Sequence, residues 1–490
     1  MGAGGAGYEL CSTVTMAASR ASLFRAGDNC KCVERAERAS LLIDGDEYFR
    51  AFTRAALRAR HEIVIVGWDF HSQTRLHHSS PAVPEMLGDF LNFLARRRRR
   101  LRIHILTWDC PLIFDAAREL SPHYGLGWQP HRRVTLQYDN RCPVGAAAHQ
   151  KIVVIDGVVA FCGGLDLTRS RWDTSEHLEA DDRRINDAET APYGAFHDTM
   201  LVVDGAVAVA LHKLASDRWA RVTGKPLGRP TRSGDPWPQE VVPQFRGVSA
   251  AVARTSAEFA GEPAVDEVHK LYLDMIRGAR RYIYLESQYF TAKELGEALA
   301  ERLTQPQGPE VIAVVRRSLD GWLEAPAMGA LRTVLLRKLH EADRYDRFRA
   351  YYPQCDLHSK LMIVDDEWLR VGSANFANRS MGLDTECDVA IEARGEAGAR
   401  AAIAGARDRL LGEHLGVAPS VVTEAITALG SVVAAIDLLA GSGERTLLPL
   451  ENAAQPLSAL VAVAEGVADP ERPARIDRTV RGWFSESPTP

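Results

Sequence analysis

The chain is punctuated by short apolar runs of strand length, and two of them open on the same polar residues. HQKIVVID occupies positions 149–156 and HSKLMIVD occupies 358–365. In an extended strand, residues two apart share a face. His149 and Lys151 therefore point together, as do His358 and Lys360. Asp156 is an odd number of residues from His149 and faces the other way. IVVI-Asp156-Gly157-VVAF is two apolar runs joined by Asp-Gly, a hairpin signal. LMIV-Asp365-Asp366-EWLRV is a weaker version of it. The pattern thus assigns both aspartates first to turn formation. Helical spacing fills the intervals: PEMLGDFLNFLARRRRR ends in cations, and AMGALRTVLLRKLHEADR carries Leu331, Leu335 and Leu339 on one face.

The two histidines are 209 residues apart (358 − 149), and the offset extends beyond them. Cys162-Gly163-Gly164-Leu165-Asp166 falls on Val371-Gly372-Ser373-Ala374-Asn375, and LRIHIL at 101 falls on EVIAVV at 310. With a slightly larger offset, ARHEIVIVGWDF at 59 matches ARRYIYLESQYF at 279. Each copy reads helix, strand, helix, strand, strand, then the HxK strand and a return strand. This alternation predicts a duplicated α/β fold with a mixed sheet sandwiched by helices. The expected division is a flexible lead over 1–40, a first half over 41–223 and a Pro/Gly-rich linker over 224–248. A second half over 249–395 and a mainly helical region over 396–490, with no counterpart in the first half, complete it.

Composition narrows the class. At 490 residues the chain is too long for one ordinary core, and 46% apolar with 25% charged residues is globular. A net charge of −5 disfavours a general nucleic-acid surface, although a local groove can still be basic. The eight cysteines lack zinc spacing and read as reduced thiols of a cytoplasmic protein. The N-terminus has no basic start followed by an apolar segment, so no secretory signal is expected. AITALGSVVAAIDLLAG contains Asp437 and is too short to span a bilayer, which leaves peripheral membrane contact.

A lone histidine at a strand start is ordinarily a satisfied structural residue. Here a lysine that is costly to bury recurs beside it twice, and a small-residue turn follows each hairpin. Two histidines brought together can divide the roles of nucleophile and acid, while two lysines neutralise an oxyanion. A phosphodiester needs that set, with a phosphohistidine intermediate released by water or an alcohol. No ligand cluster accompanies the motifs, so neither metal nor other cofactor is expected.

HxKxxxxD followed by GS-x-N, here His358, Lys360, Asp365, Gly372, Ser373 and Asn375, resembles the signature of the phospholipase D superfamily. His149, Lys151, Asp156, Gly163, Gly164 and Asp166 resemble its first motif. GGLDLTRSRWDT, VGSANFANRSMGLDTE and YIYLESQYF are similar to the phosphatidylcholine-type enzymes in particular. The likeness covers roughly residues 40 to 395. It implies an α/β/α sandwich duplicated into a pseudo-dimer with one shared site, a monomer with an internal pseudo-twofold. It implies His149 as nucleophile and His358 as general acid, with Asp156 and Asp365 completing the catalytic motifs. Lys151, Lys360, Ser373 and Asn375 take phosphate-binding positions, and Asp198 and Glu386 match the carboxylates that orient the histidines. Asp166 departs from the asparagine usual there; a carboxylate would repel phosphate, and holding a lysine or the turn backbone is its expected secondary role.

The implied activity is metal-independent hydrolysis or transphosphatidylation of a phospholipid. A nuclease, another phosphodiesterase or a cardiolipin-synthase-like transferase is the alternative. Intact histidines and lysines in both motifs argue against a non-catalytic scaffold. Trp68, Trp172, Tyr289 and Phe290 are candidates to line an acyl entrance, with core packing as the ordinary alternative. The arginine run at 96–100 suits either an anionic surface or a helix C-terminus.

Overall fold

The structure, a computed structural model, describes residues 21–77, 82–109, 127–185, 192–228, 234–318, 324–450, 461 and 464–473. Among these, sixteen strands form one mixed sheet. At its middle, Cys32–Ile43 and Phe245–Ser256 run antiparallel, from Cys32 opposite Val252 to Ala39 opposite Phe245. Outward from Cys32–Ile43 lie Thr199–Gly205, Val159–Gly163, Ile152–Ile155, Glu62–Gly67, Arg102–Trp108 and Val134–Asp139. Outward from Phe245–Ser256 lie Glu386–Glu392, Trp368–Gly372, Lys360–Val364, Tyr282–Ser287, Glu310–Val315 and Phe348–Tyr352, the same order. The expected mixed α/β architecture is therefore present.

Strand parity builds the layers. Val64 and Val66 face one core while Ile63 and Ile65 face another, and Ile152 and Val154 separate from Val153 and Ile155 in the same way. In the second half Tyr282 and Tyr284 part from Ile283 and Leu285. Each side of the sheet is covered because these strands are buried on both faces, which is why they read as continuous apolar runs. One core is shared by both halves. It joins Leu211, Ala215 and Trp219 of helix Ala206–Thr223 to Ile403, Leu410 and Leu411 of helix Ala397–Leu415. Of the other two large cores, one belongs to the first half and the other to the second half, joined there by Phe24 and Cys30 from the N-terminal segment.

Three boundaries differ from expectation. The first half begins inside the predicted flexible lead, since its central strand opens at Cys32 and Asn29 is already buried. The linker ends earlier than 248, because Phe245 opens the opposing central strand. Helix Ala397–Leu415 is not appended: it follows Glu386–Glu392 as Ala206–Thr223 follows Thr199–Gly205, so it belongs to the repeat. Both central strands carry mixed polar and apolar residues without clean alternation, which hid them. Helices Pro419–Leu429 and Val432–Leu439 lie beyond it. Residues 1–20 and 474–490 of the expected terminal regions fall outside the described residues.

Both hairpins form as expected. Val158 N–H donates to Ile155 O at 2.9 Å across Asp156 and Gly157, whose φ values are 51° and 62°. Glu367 N–H donates to Val364 O at 2.8 Å across Asp365 and Asp366, both at φ 56°. Positive φ at both central residues matches the right-handed strand twist.

Candidate active site

Each HxK motif docks on the opposite half through its backbone. His149 N–H donates to Thr385 O at 2.9 Å, and His358 N–H donates to His197 O at 2.8 Å. The acceptors immediately precede Glu386 and Asp198, so each docking contact delivers a carboxylate to the histidine beside it. His149 Nδ1 lies 3.0 and 3.1 Å from the two oxygens of Glu386. His358 Nδ1 lies 2.6 Å from Asp198 Oδ2. The histidine of each half is thus oriented by the carboxylate of the other. With Nδ1 engaged, Nε2 on the far side of each ring is left for chemistry.

The lysines are placed alike. Lys151 Nζ donates to His149 O at 3.1 Å, and Lys360 donates to His358 O. Lys151 also lies 3.1 Å from Asp166 Oδ2, while Asp166 Oδ1 accepts Trp68 N–H at 2.9 Å. Asp166 therefore holds both a lysine and the turn backbone. Lys151 and Lys360 are buried, whereas each histidine side chain keeps 15% exposure and so reaches an opening.

The electrostatics tie the two halves together. Burial, then Lys151 and Lys360, hold His149 well below the ordinary imidazole range. Burial, then Lys360, Arg171, Lys151 and His149, do the same to His358. Burial pushes Lys360 down to about 7, opposed by Asp198 and reinforced by Lys151. Burial lifts Asp198 to about 6, against the pull of Lys360. Glu386 rises to about 8 through burial and the neighbouring Asp384. With Glu386 ionised and accepting the Nδ1–H of a neutral His149, the lone pair is left on Nε2.

Several expected positions take different roles. Asp156 and Asp365 are not at the site. Asp156 accepts the N–H groups of Arg60, His61 and Glu62 at 2.7, 2.8 and 2.8 Å. Asp365 accepts those of Arg280, Arg281 and Tyr282 at 2.7, 2.7 and 3.0 Å. Five steps along the strand separate each from its lysine, roughly 16 Å at the usual rise, and the hairpin geometry fixes them at the far end. Ser373 does not face outward for phosphate: its hydroxyl donates to Glu386 and its oxygen accepts Cys387 N–H at 3.1 Å. Asn375 stays a phosphate candidate through its Nδ2 donor; its Oδ1 is buried without a hydrogen bond among the described residues. Trp172 and Phe290 are core residues, stacked on His77 at 4.0 Å and on Phe376 at 4.8 Å between centroids. Trp68 and Tyr289 are half-buried. In the arginine run, Arg98 donates to Leu57 O and Ala56 O, so it caps a neighbouring helix.

Residues that the motifs did not single out support the site. Ser380 donates to Glu386 Oε1 at 2.8 Å, and Asp384 accepts Ala147 N–H at 2.8 Å just ahead of His149. Arg379 holds Asp384 at 2.6 Å. All three lie in the family-like stretch VGSANFANRSMGLDTE, at positions to which the likeness gave no role. Gly164 shows why the halves differ: a Cβ there would stand 2.0 Å from Asp198 Oδ1, whereas the equivalent Ser373 reaches the longer Glu386.

Comparison with known families agrees with this geometry: residues 272–403 match the family described as "Cardiolipin synthase, PLD-like domain". Over that stretch the chain is similar to a phospholipase D-like domain. Its curated relatives include phospholipase D A of Dictyostelium discoideum, 25% identical over 78% of this chain and 36% of that protein. Cardiolipin synthase A of Escherichia fergusonii is 25% identical over 76% of this chain and 70% of its own length. The probable cardiolipin synthase YwiE of Bacillus subtilis is 29% identical over 49% of this chain and 42% of its own length. The chain thus spans about a third of the Dictyostelium protein and more than two thirds of the Escherichia one. Phosphatidylserine synthase of Haemophilus influenzae shares the fold at TM-score 0.52 and 14% identity, over 78% of this chain and 89% of that one. These matches favour the cardiolipin synthase type over the phosphatidylcholine type to which the motif wording pointed. Among the described residues no helix is long and apolar enough to cross a membrane.

Proposed function

We propose that the protein acts on phospholipid phosphodiesters by a two-histidine mechanism and transfers the phosphatidyl group to an alcohol or to water. The crossed pairs His149–Glu386 and His358–Asp198 carry this reading. His149 Nε2 attacks phosphorus, the bond to the leaving oxygen breaks, and His358 gives that oxygen its proton. Lys151, Lys360 and Asn375 take the charge of the non-bridging oxygens. The acceptor O–H then attacks phosphorus, its proton returns to His358, and the P–N bond breaks.

The cardiolipin synthase relatives favour an alcohol acceptor over water. The test supplies vesicles of phosphatidylglycerol or phosphatidylcholine, with and without a primary alcohol, and single-stranded DNA alongside. Phosphatidylglycerol giving cardiolipin and glycerol supports transfer; phosphatidic acid alone supports hydrolysis. DNA cleavage without lipid turnover would replace the lipid reading. Lipid turnover that survives both His149→Ala and His358→Ala would refute the mechanism.

A further inference from the structure

Behind the His358 side of the site, four buried side chains from distant parts of the chain converge. Asp44 opens a helix, His177 lies in the loop after the first motif, His197 directly precedes Asp198, and Glu413 sits near the end of helix Ala397–Leu415. His197 Nδ1 is 3.0 Å from Asp44 Oδ1 and 2.7 Å from Glu413 Oε1. His177 Nε2 is 3.6 Å from Asp44 Oδ2 and 3.0 Å from Glu413 Oε1. All four donor atoms lie within 4.8 Å of one another.

Hydrogen bonding accounts for only part of this arrangement: His177 Nε2 and Glu413 Oε1 are bonded at 3.0 Å. Both oxygens of Asp44 and the Nδ1 of His197 are buried and make no hydrogen bond among the described residues, despite the short separations. At 3.0 Å the separation of His197 Nδ1 from Asp44 Oδ1 would suffice, so it is direction that rules out that bond, while Asp44 Oδ2 is 3.6 Å from His177 Nε2. Leaving them so is costly in a protein interior. Four ligands about 2.0–2.1 Å from a tetrahedral ion stand roughly 3.3 Å apart, and the separations here bracket that value.

The outer contacts are those that metal-bound histidines make. His177 uses its other nitrogen toward Asp173 Oδ2 at 2.9 Å, and His197 uses its other nitrogen toward Glu286 Oε2 at 3.0 Å. A carboxylate behind each imidazole fixes its tautomer and raises its basicity as a ligand. Charge is equally consistent. An ion of charge +2 between neutral imidazoles gives the same total as two imidazoliums among these carboxylates.

We propose that Asp44, His177, His197 and Glu413 bind one structural divalent transition ion, with Zn²⁺ the best match to two imidazoles and two carboxylates at tetrahedral spacing. Its place gives it a purpose. Asp44 N–H donates to Asp198 O at 2.8 Å, and His197 O accepts His358 N–H. Two of the ligands therefore grip the segment that carries Asp198. Glu286, behind His197, also accepts the hydroxyl of Ser359 within the second motif. The ion would pin the general-acid side of the site without touching substrate.

The test is metal analysis of the full chain after gel filtration in metal-free buffer, where about one equivalent of zinc is expected. Wild-type chain stripped with dipicolinate is then titrated with Co²⁺. One equivalent should give the strong visible absorption of four-coordinate cobalt, and Zn²⁺ should raise the thermal midpoint. Glu413→Gln and Asp44→Asn should lose that absorption while keeping a folded circular dichroism spectrum. If either variant does not fold, the wild-type titration decides. A stripped wild-type chain that shows neither the four-coordinate band nor a midpoint shift overturns the proposal and leaves a network of imidazoliums. A folded Glu413→Gln chain with an unchanged cobalt spectrum overturns the ligand assignment.

Discussion

Replacing the aspartate of either motif by asparagine separates a structural role from a catalytic one. Asp156 Oδ1 accepts two backbone N–H groups, from His61 and Glu62, and its Oδ2 accepts a third from Arg60. Asp365 repeats this with Arg281 and Tyr282 on Oδ1 and Arg280 on Oδ2. Asparagine keeps one oxygen for the paired donors and turns an NH₂ toward the third N–H. Asparagine also tolerates the positive φ of both positions, so the turn itself is not strained. One charge-assisted bond is lost, about 1.5–3 kcal/mol, and two bonds lose their charge, together about 1 kcal/mol more. The sum is roughly 3 kcal/mol, and at about 2 °C per kcal/mol the thermal midpoint falls by roughly 6 °C. Scanning fluorimetry reads the midpoint. Turnover of bis(p-nitrophenyl) phosphate, measured well below that midpoint, should stay within about twofold of wild type. His149→Asn is the opposite control, with activity lost and the midpoint nearly unmoved. A loss of about a hundredfold in kcat at an unchanged midpoint for Asp156→Asn or Asp365→Asn would refute this reasoning and put the aspartates back into the chemistry.

Two further outcomes follow from the site. His358→Ala should leave His149 able to attack bis(p-nitrophenyl) phosphate, so mass spectrometry after an alkaline denaturing quench, in which the P–N bond survives, should find a phosphoryl adduct on residue 149 and none in His149→Ala. With an alkyl leaving group that needs the proton, the same variant should lose about 10²–10⁴ in rate. The alkaline side of the pH dependence follows from the free-enzyme charges. Lys360 loses its charge as pH rises through about 7, so anion binding weakens and kcat/KM falls above it. A bound phosphodiester favours the charged lysine, so kcat should decline at higher pH than kcat/KM does. A kcat/KM profile that stays level across that range would show Lys360 fully charged in the free enzyme.

Much of the site was legible from local pattern because the pleat of a strand is local. Parity alone put His149 with Lys151 and His358 with Lys360, and it set Asp156 and Asp365 apart. The Asp-Gly and Asp-Asp turns formed where the apolar runs break. The repeat fixed which residues correspond between halves, and with it the mixed α/β architecture. Ser373 was misread because its place after the hairpin is shared by residues that face a ligand and residues that face a neighbouring carboxylate. Only the position of Glu386 decides between them.

What tertiary structure alone decided is which groups meet. Nothing in the spacing of Asp198 and Glu386 shows that each serves the histidine of the other half. That crossing arises because the central strands pair antiparallel and a single core fuses the halves, bringing each motif onto its opposite docking segment. The same pairing gathers Asp44, His177, His197 and Glu413, whose separations in sequence follow no ligand pattern. Periodicity along a chain reports which face a side chain takes; convergence in space depends on how the faces are packed together.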